Sequence, residues 1–371
     1  MWTIHRLLAL ACLGLLGLAL VMVIAATRAG PREGRTKPTP RATRDESTSA
    51  VRPAISAFPL GISDRTVSSS TARAREPKLV YVPESATETV AVIDARTYRI
   101  VRRLRVGREP EHVAASGNRL FAGSAGEDSL TLIDAPSGRL QRRLRAIDPY
   151  NLYTSPDGTK VVVVAGKRGE LRLLHPRRLT LMGVVRLHGR GASHLAFARD
   201  GRSLAVTAVD SGDLIKVDVE RRRVAEVTHL GGIPVDVKLS PDGRAFLVAN
   251  QALGGVSIVD ARSFRTTGFI RTGAGAHGLA LSRDGRKLFV ANREGGTISV
   301  IDLARRRLAA TWDVGGSPDG LQVSTDGSEL WTSNRFHASV SVVDVRAGRV
   351  KRTIRVNEGP HGLIYFPSLP E

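Results

Sequence analysis

The sequence predicts an all-β fold, a seven-bladed β-propeller, because one pattern recurs about every 42 residues. Each repeat is made of short apolar runs separated by turns. A fixed period in this range, built from short strands, is typical of a propeller with one four-stranded blade per repeat. The residues that begin the repeats are 39, 43, 42, 42, 42 and 42 positions apart: Pro110, Pro149, Ala192, Pro234, Ala276, Pro318 and Pro360.

The repeat at residues 276–317 illustrates how each blade is predicted. Its Asp284-Gly285 pair has the composition of a tight hairpin turn, since glycine accepts the positive φ that such turns require. No part of residues 76–371 carries apolar residues at helical spacing for more than two turns. Four runs rich in β-branched or alternating apolar residues are therefore predicted as strands: Leu279–Ser282, Lys287–Ala291, Thr297–Asp302 and Leu308–Val314.

The two ends of the repeat region predict how the ring closes. Residues 78–106 contain three strands with no inner strand before them, and residues 361–367 supply an inner strand with no blade of its own. Pairing of these N- and C-terminal segments would complete a seventh blade and remove free strand edges. The alternative is an incomplete first blade and a six-bladed ring.

The N-terminal region predicts export. Residues 1–26 contain an unbroken apolar run of 20 residues, Leu7–Ala26, which predicts one hydrophobic helix, either a transmembrane anchor or a cleaved signal peptide. Residues 27–75 are rich in Pro, Arg, Ser and Thr and predict a disordered linker, because they offer too little apolar surface to fold. Residues 76–371 form the propeller. We expect it to be extracytoplasmic, anchored in the cell membrane or secreted after cleavage, with the membrane orientation left open.

The charge and the single cysteine limit the function classes. The only cysteine is Cys12, which excludes a disulfide, a thiolate metal site or a cysteine nucleophile within the propeller. The net charge is +20, carried by 47 Arg and 8 Lys, and the arginines concentrate between the third and fourth strands of the repeats. These turns are either a solvated surface or a basic ring that contacts an anionic polymer or lipid. Nucleic acid is not a predicted partner, since interleaved aromatic residues that stack on bases are lacking.

The loops that precede the inner strands predict a site. Propeller topology places them on one face around the central channel, and four of the nine histidines fall there. Imidazoles and carboxylates that converge from different strands suit a divalent metal such as copper, zinc or iron. The alternative is that these side chains hydrogen-bond neighbouring loops and cap the channel. The metal-ligand candidates are His112, His194, His277 and His361.

Further candidates on the same face predict a small or anionic ligand, with a solvated rim as the alternative. They comprise three residues of the inner-strand loops and three arginines from the loops between second and third strands: Asn151, Asp236, Asp319, Arg168, Arg293 and Arg335.

Motifs for catalysis are missing, including Gly-x-Ser-x-Gly, His-Glu-x-x-His and a Gly-rich phosphate loop. The first interpretation is therefore a binding or scaffold module of the cell envelope that takes a protein or small ligand. The alternative is a metal-assisted hydrolase, lyase or oxidoreductase with its site at the channel mouth.

Two motifs carry a family resemblance. The second-strand sequences Phe246-Leu247-Val248-Ala249-Asn250 and Leu288-Phe289-Val290-Ala291-Asn292, and the third strand Gly296 to Asp302, resemble the YVTN-type β-propeller family. The resemblance covers residues 78–367 and is strongest from residue 232 onward. It implies the propeller fold and an extracytoplasmic location. Similar propellers include lactonases, streptogramin lyases, d1-haem domains and quinoprotein dehydrogenases, so the resemblance implies no single activity.

Overall fold

The computed structural model describes residues 77–188 and 191–367. These residues form seven four-stranded antiparallel sheets, which confirms the predicted all-β, seven-bladed propeller. The predicted N-terminal hydrophobic helix and the linker that follows it lie outside the described residues. Within the described ranges, no helix has the length and apolar character needed to cross a membrane.

Blades 1 to 4 contain the first fifteen strands and the last one. Blade 1 also holds a short 3-10 helix, Ser85–Thr87. In chain order the strands are β1 (Leu79–Glu84), β2 (Thr89–Asp94) and β3 (Arg99–Arg105) of blade 1; β4 (Pro110–Ser116), β5 (Arg119–Ser124), β6 (Ser129–Asp134) and β7 (Arg139–Arg145) of blade 2; β8 (Asn151–Thr154), β9 (Val161–Ala165), β10 (Glu170–Leu174) and β11 (Leu181–Arg186) of blade 3; and β12 (Ala192–Phe197), β13 (Ser203–Ala208), β14 (Asp213–Asp218) and β15 (Arg223–His229) of blade 4.

Blades 5 to 7 follow the same plan, and the last strand returns to blade 1. The strands are β16 (Pro234–Leu239), β17 (Ala245–Asn250), β18 (Gly255–Asp260) and β19 (Thr266–Arg271) of blade 5; β20 (Ala276–Leu281), β21 (Lys287–Asn292), β22 (Thr297–Asp302) and β23 (Arg307–Asp313) of blade 6; β24 (Pro318–Val323), β25 (Glu329–Asn334), β26 (Ser339–Asp344) and β27 (Arg349–Arg355) of blade 7; and β28 (Ile364–Phe366) of blade 1.

The core lies between blades and is built mainly from the second and third strands. In β9 all five residues are buried, because its Val-rich sequence packs against a neighbouring blade on each side, as strands covered on both faces do. The fourth strands are mostly exposed; in β7, six of the seven residues are exposed. The fourth strands thus carry much of the Arg-rich outer surface, while the first strands line the central channel.

The ring closes by pairing of the two ends of the repeat region. Strand β28 pairs antiparallel with β1, so blade 1 has the order β28-β1-β2-β3. Tyr365 of β28 is buried, and its ring centroid lies 6.1 Å from that of Trp331 in blade 7. The predicted closure is confirmed, and the six-bladed alternative is wrong. The strand is shorter than the predicted segment 361–367, because Pro360 and Gly362 make only isolated bridges, to Glu84 and His112.

The loops divide between two faces. The turn face holds the hairpins between first and second strands and the turns between third and fourth strands, which are joined by bonds such as Leu303 N–H to Arg286 O. The mouth face holds the loops that precede the inner strands and the loops between second and third strands. These two sets are also joined, for example by Arg293 N–H to Gly275 O and Arg335 N–H to Ser317 O.

Five inner strands begin with the same irregularity on the mouth face. In β20, Ala276 pairs with Asn292, and the next paired residue is Leu279, opposite Val290. The two residues between them stand outside the ladder, as in a β-bulge, which re-aims side chains and is common beside functional sites. The bulge also explains why this strand begins at Ala276 rather than at the predicted Leu279. Equivalent shifts occur in β4, β12, β16 and β24.

Candidate functional site

The candidate site is built from two consecutive positions at the start of each inner strand, and the blades use these positions differently. Blades 2 to 5 carry a polar side chain at the second position, whereas blades 6, 7 and 1 carry glycine there and a polar side chain at the first. The first positions are Glu111, Tyr150, Ser193, Val235, His277, Asp319 and His361. The second positions are His112, Asn151, His194, Asp236, Gly278, Gly320 and Gly362.

The three glycines allow inner strands β20, β24 and β28 to approach closely. A Cβ atom at Gly278 would collide with the backbone oxygen of Asp319, and one at Gly362 would collide with the His112 ring. A Cβ at Gly320 would lie 3.1 Å from the Cα of Gly362. Space, rather than backbone conformation, therefore requires glycine here. The close approach brings the polar residues of these three strands together.

A chain of closely spaced histidines and carboxylates runs across the mouth. His361 contacts two carboxylates: its Nδ1 lies 2.7 Å from Glu111 Oε2, and its Nε2 lies 3.2 Å from Asp319 Oδ1. The Nδ1 of His277 lies 3.7 Å from the same Asp319 oxygen. Asp319 is 1% exposed and His361 is 3% exposed, so the chain is shielded from solvent and its contacts are electrostatically strong.

Two arginines from loops between second and third strands hold the carboxylates. Arg293 Nε lies 3.1 Å from Asp319 Oδ2, and Arg335 Nη1 lies 3.0 Å from Glu111 Oε2. The Arg335–Glu111 pair joins residues 224 positions apart. Each arginine therefore neutralises one carboxylate, and Arg293 leaves the Oδ1 atom of Asp319 facing the two histidines.

The remaining histidines pack beside this chain. The ring of His112 has its centroid 4.5 Å from that of His361, 4.9 Å from that of His194 and 5.2 Å from that of Tyr150. The His277 and His361 centroids are 6.4 Å apart. All four predicted histidines thus meet in one buried cluster at the channel mouth, which we call the mouth cluster, together with Glu111 and Asp319.

The pKa values within the mouth cluster separate one charged histidine from three neutral ones. Burial lowers the pKa of His361, but the carboxylates of Asp319 and Glu111 outweigh burial and raise it. Burial lowers the pKa of His194. For His112 and His277, burial holds the pKa well below its ordinary value. Three imidazoles therefore keep an unprotonated nitrogen at neutral pH.

Both carboxylates of the mouth cluster stay ionised. Burial opposes ionisation of Glu111, but the neighbouring His361 and Arg335 lower its pKa to about 2. Burial likewise opposes ionisation of Asp319, yet the imidazoles of His277 and His361 and the Arg293 guanidinium hold its pKa well below the usual range. Two anionic oxygen donors and neutral imidazoles are thus available in one small volume.

The geometry of three residues matches a metal-ligand set. His277, Asp319 and His361 each offer a donor atom, and these donors lie within 4.8 Å of one another. Around a divalent ion with bonds of about 2.1 Å, tetrahedral donors stand roughly 3.4 Å apart. Small side-chain movements of about 1 Å would bring the three donors to an ion. Two histidines and one carboxylate suit zinc or iron.

The other predicted ligand residues lie in different settings. Asn151 is buried, and its amide donates to Tyr153 Oη at 2.9 Å. Asp236 is buried and accepts hydrogen bonds from the N–H groups of Val237 and Leu279, both at 2.8 Å. Asp236 therefore links β16 to β20. Arg168 is exposed and takes no part in the mouth cluster, although its N–H donates to Asp148.

Glu111 was not among the ligand residues that the sequence predicted, although it stands at a first position with His277, Asp319 and His361. The signal that could have identified it is an acid placed directly before a histidine at the start of an inner strand. Its partners His361 and Arg335 belong to blades 1 and 7, and only the closed ring brings them next to blade 2.

Comparison with known proteins identifies the family. The sequence profile described as "YNCE-like beta-propeller" matches residues 48–370, which is most of the chain. A search of curated proteins found no match.

Solved structures share the fold at low sequence identity. A putative 6-phosphogluconolactonase from Bacteroides uniformis is 15% identical, with a TM-score of 0.66 over 78% of this chain and 100% of that one. Dihydro-heme d1 dehydrogenase NirN, in complex with DHE, is 19% identical, with a TM-score of 0.59 over 77% and 74%. Apo AztD from Citrobacter koseri is 12% identical, with a TM-score of 0.58 over 78% and 97%. These likenesses show the fold alone.

Proposed function

We propose that this chain, which belongs to the YNCE-like beta-propeller family, is an extracytoplasmic binding protein whose ligand is a divalent first-row transition-metal ion. The ion is held by His277, Asp319 and His361 at the mouth of the channel. The extracytoplasmic location rests on the apolar run Leu7–Ala26, and the arginine-rich turn face is the surface that would meet an anionic lipid or polymer.

The contact of Glu111 with His361 is the observation that carries the proposal. Metal-ligating histidines usually pair their second ring nitrogen with a carboxylate, which fixes the ring and makes the ligating nitrogen a better donor. Oε2 of Glu111 lies 2.7 Å from Nδ1 of His361, in an ion-pair contact without hydrogen-bond alignment, while Nε2 faces Asp319. Arg335 in turn holds Glu111. The ligand set is thus backed by an ordered outer layer.

A metal ion would take the place of a proton that the mouth cluster already holds. Glu111 and Asp319 are paired with Arg335 and Arg293, and His361 carries a proton between the two carboxylates. A metal ion that takes the place of this proton at Nε2 adds positive charge next to Asp319 Oδ1. Burial strengthens that attraction, because the site is largely shielded from water.

An enzyme is the second candidate function. It is favoured because only three protein donors are available to the metal ion. Three donors leave coordination positions for water or substrate, as catalytic zinc sites do. A cavity beside the mouth cluster supplies the room that a substrate would need. The binding function remains the first proposal, because metal binding requires only the three donors, whereas an enzyme would also require a substrate that no contact of the described residues identifies.

Zinc titration of the full-length chain, purified in detergent, tests the proposal. We expect isothermal titration calorimetry to give one zinc per chain. His277→Ala removes a donor but leaves the Glu111–His361 and Arg293–Asp319 pairs in place, and we expect it to weaken zinc binding roughly a hundredfold. The control is His229→Ala, a histidine on the exposed fourth strand β15 that pairs with Asp213.

Two results would contradict the proposal. One is a wild-type protein that takes up none of zinc, copper(II) or iron(II). The other is zinc binding that His277→Ala and His229→Ala change equally. Circular dichroism of each variant establishes that the propeller is folded, so that loss of binding is attributed to the site.

A further inference from the structure

A groove of about 580 Å³ lies between the outer strands of blades 3 and 4. Strands β10 and β11 of blade 3 form one wall, and β15 with the turn before it in blade 4 forms the other. Four arginines, one glutamate and one histidine supply the polar lining, and two valines complete it. The polar residues are Glu170, Arg172, Arg186, His188, Arg222 and Arg223.

Arg172 departs from the pattern of the repeat. It lies in β10, three residues before His175, and its side chain is only 17% exposed. In the other six blades, the residue three positions before the acid that ends the third strand is uncharged and buried. Blade 3 therefore places a guanidinium where the other blades pack a neutral side chain. The equivalent residues are Ala91, Thr131, Ile215, Ser257, Ser299 and Ser341.

Arg222 also departs from the repeat. It is the fourth residue after Asp218, and the equivalent residues of blades 1 and 5 are Tyr98 and Phe264. Phe264 is fully buried, and the Tyr98 ring packs 5.9 Å from that of Trp331 in the preceding blade. Arg222 is exposed and lines the groove instead. Blade 4 thus presents a cation where an aromatic ring fills the space between blades elsewhere.

A glycine of β11 lets Arg222 lie against blade 3. A Cβ atom at Gly183 would lie 2.7 Å from Cδ and 2.8 Å from Nε of Arg222. Blade 6 carries Arg306 at the equivalent position, with nearly the same φ, 50° against 53°. At Gly268, which corresponds to Gly183 in blade 5, a Cβ would have only Ile258 Cδ1 within 4 Å among the described residues outside its chain neighbours. The placement of Arg222 distinguishes the junction of blades 3 and 4 from that of blades 5 and 6.

The groove carries an excess of positive charge. Four arginines and one glutamate leave a net charge of +3, without His188. Glu170 contacts two of the arginines, since its Oε2 lies 3.0 Å from Arg172 Nη1 and its Oε1 lies 3.9 Å from Arg186 Nε. One acid therefore orients two guanidinium groups and leaves the groove cationic.

The residue types in the lining select the class of ligand. The planar fork of a guanidinium group matches the oxygen pairs of phosphate groups and binds them with two hydrogen bonds. A volume of about 580 Å³ holds more than one such group, since a water molecule takes about 30 Å³. An anion with several charges and several phosphate-type oxygens therefore fits the groove better than a single carboxylate.

We propose that this groove binds the diphosphate group of a small soluble molecule, with Arg172 and Arg222 as the residues that make the site specific. None of the lining residues belongs to the mouth cluster. The inference is therefore independent of the proposed metal-binding function.

Inorganic pyrophosphate and the metal-free full-length chain, purified in detergent, provide the test. We expect isothermal titration calorimetry to give one pyrophosphate per chain. Arg222→Gln and Arg172→Ser should each raise the dissociation constant roughly tenfold, through loss of a charge-assisted contact. Serine is the residue that blades 5 to 7 carry at the position of Arg172. The matched control is Arg306→Gln, and circular dichroism verifies that each variant is folded.

Two further measurements identify where the anion binds and in what form. The His277→Ala variant should bind pyrophosphate as the wild type does, because the mouth cluster is a different site. Vesicles of phosphatidylglycerol offer the same phosphate chemistry on a lipid surface, and we expect Arg222→Gln to leave binding to them unchanged.

Four results would overturn the inference. They are a wild-type chain that binds no pyrophosphate, equal effects of Arg222→Gln and Arg306→Gln, loss of pyrophosphate binding in His277→Ala, and vesicle binding that depends on Arg222 while free pyrophosphate does not bind. Each of these leaves zinc binding at the mouth cluster to be judged by its own titration.

Discussion

On the turn face, blade after blade forms the same contacts. An acid at the end of the third strand accepts backbone N–H groups of the following turn, as Asp302 does from Arg305 at 2.9 Å and Asp344 from Ala347 at 2.8 Å. Blade 3 carries His175 instead, and its Nδ1 accepts the N–H groups of Arg177 and Arg178, both at 3.2 Å. On the mouth face, by contrast, the seven blades present different residue types at equivalent positions.

This difference between the two faces indicates that equivalent positions of the repeat serve folding on the turn face and a specific site on the mouth face. A contact that recurs in every blade solves a problem that every blade has, which is to satisfy the backbone of a tight turn. His175 supports this interpretation, because the residue type changes and the hydrogen bonds remain. At the mouth cluster, neighbouring blades contribute complementary groups instead, such as an acid, a histidine and an arginine. Because neighbouring blades contribute groups that pair with one another there, we infer that the mouth cluster is a specific site at one place in the ring.

The largest expected effect comes from the C-terminal segment 361–367, which both closes the ring and supplies His361 to the mouth cluster. Ending the chain at Pro360 removes β28 and with it His361, so it should both open the ring and destroy the site. Loss of Ile364, Tyr365 and Phe366, all buried, should destabilise the protein by more than about 5 kcal/mol. Thermal denaturation measures the loss, and a chain that ends at Pro367 is the control.

His361→Ala separates the two roles of this segment. It keeps the closing strand and removes only the histidine, so we expect a folded ring that has lost zinc binding. A truncated chain with the same melting temperature as the control would contradict closure by β28.

A smaller effect is expected from breaking the charge chain of the mouth cluster. Glu111→Gln leaves His361 and Arg335 without their anion, and should cost about 3 kcal/mol at pH 6. The pKa of Glu111 is lowered to about 2 from an ordinary value of 4.5, so its contribution to stability is present above pH 4.5 and is lost as the pH falls toward 2.

Urea denaturation at pH 6 and at pH 3 checks this prediction. The difference in the free energy of unfolding between wild type and Glu111→Gln should be smaller at pH 3, because the ionised Glu111 of the wild type is partly protonated there and stabilises it less. A gap that stays constant between the two pH values would show that the ionisation of Glu111 does not stabilise the fold.

The smallest effect is expected on the turn face. Asp242 accepts hydrogen bonds from the Ser240 hydroxyl at 2.6 Å and from Arg244 N–H at 3.0 Å. Asp242→Ala removes these two hydrogen bonds from one of several equivalent exposed turns. We expect it to lower the melting temperature by only about 1–3 °C and to leave the zinc affinity unchanged. Calorimetric melting and zinc titration measure both quantities. A change in zinc affinity would contradict the division between the two faces.

The same division explains how far the sequence could predict the molecule. The period and the strand order were predictable, because each depends on local patterns that repeat, such as Asp284-Gly285. Ring closure was predictable because the first blade lacks an inner strand and residues 361–367 supply one. The grouping of the four histidines was predictable, since equivalent positions before the inner strands of a propeller lie around its central channel. The role of Glu111 was not, because its partners lie in other blades and meet it only after closure.

Two features of the site have no local signal in the sequence. The bulge that precedes Leu279 depends on the pairing of β20 with β21, and a pattern of apolar residues does not report it. Gly362 stands in the sequence as an ordinary loop glycine, and the need for glycine there arises only because the His112 ring of blade 2 packs against it. Both depend on the assembled ring.

The central proposal is that the mouth cluster holds a metal ion. Crystals of the zinc-loaded chain, measured above and below the zinc absorption edge, test it directly. We expect one anomalous peak within about 2.0–2.2 Å of donor atoms of His277, Asp319 and His361, with Glu111 still paired to the other nitrogen of His361. A peak elsewhere, or no peak at this cluster in protein shown to contain zinc, would contradict it.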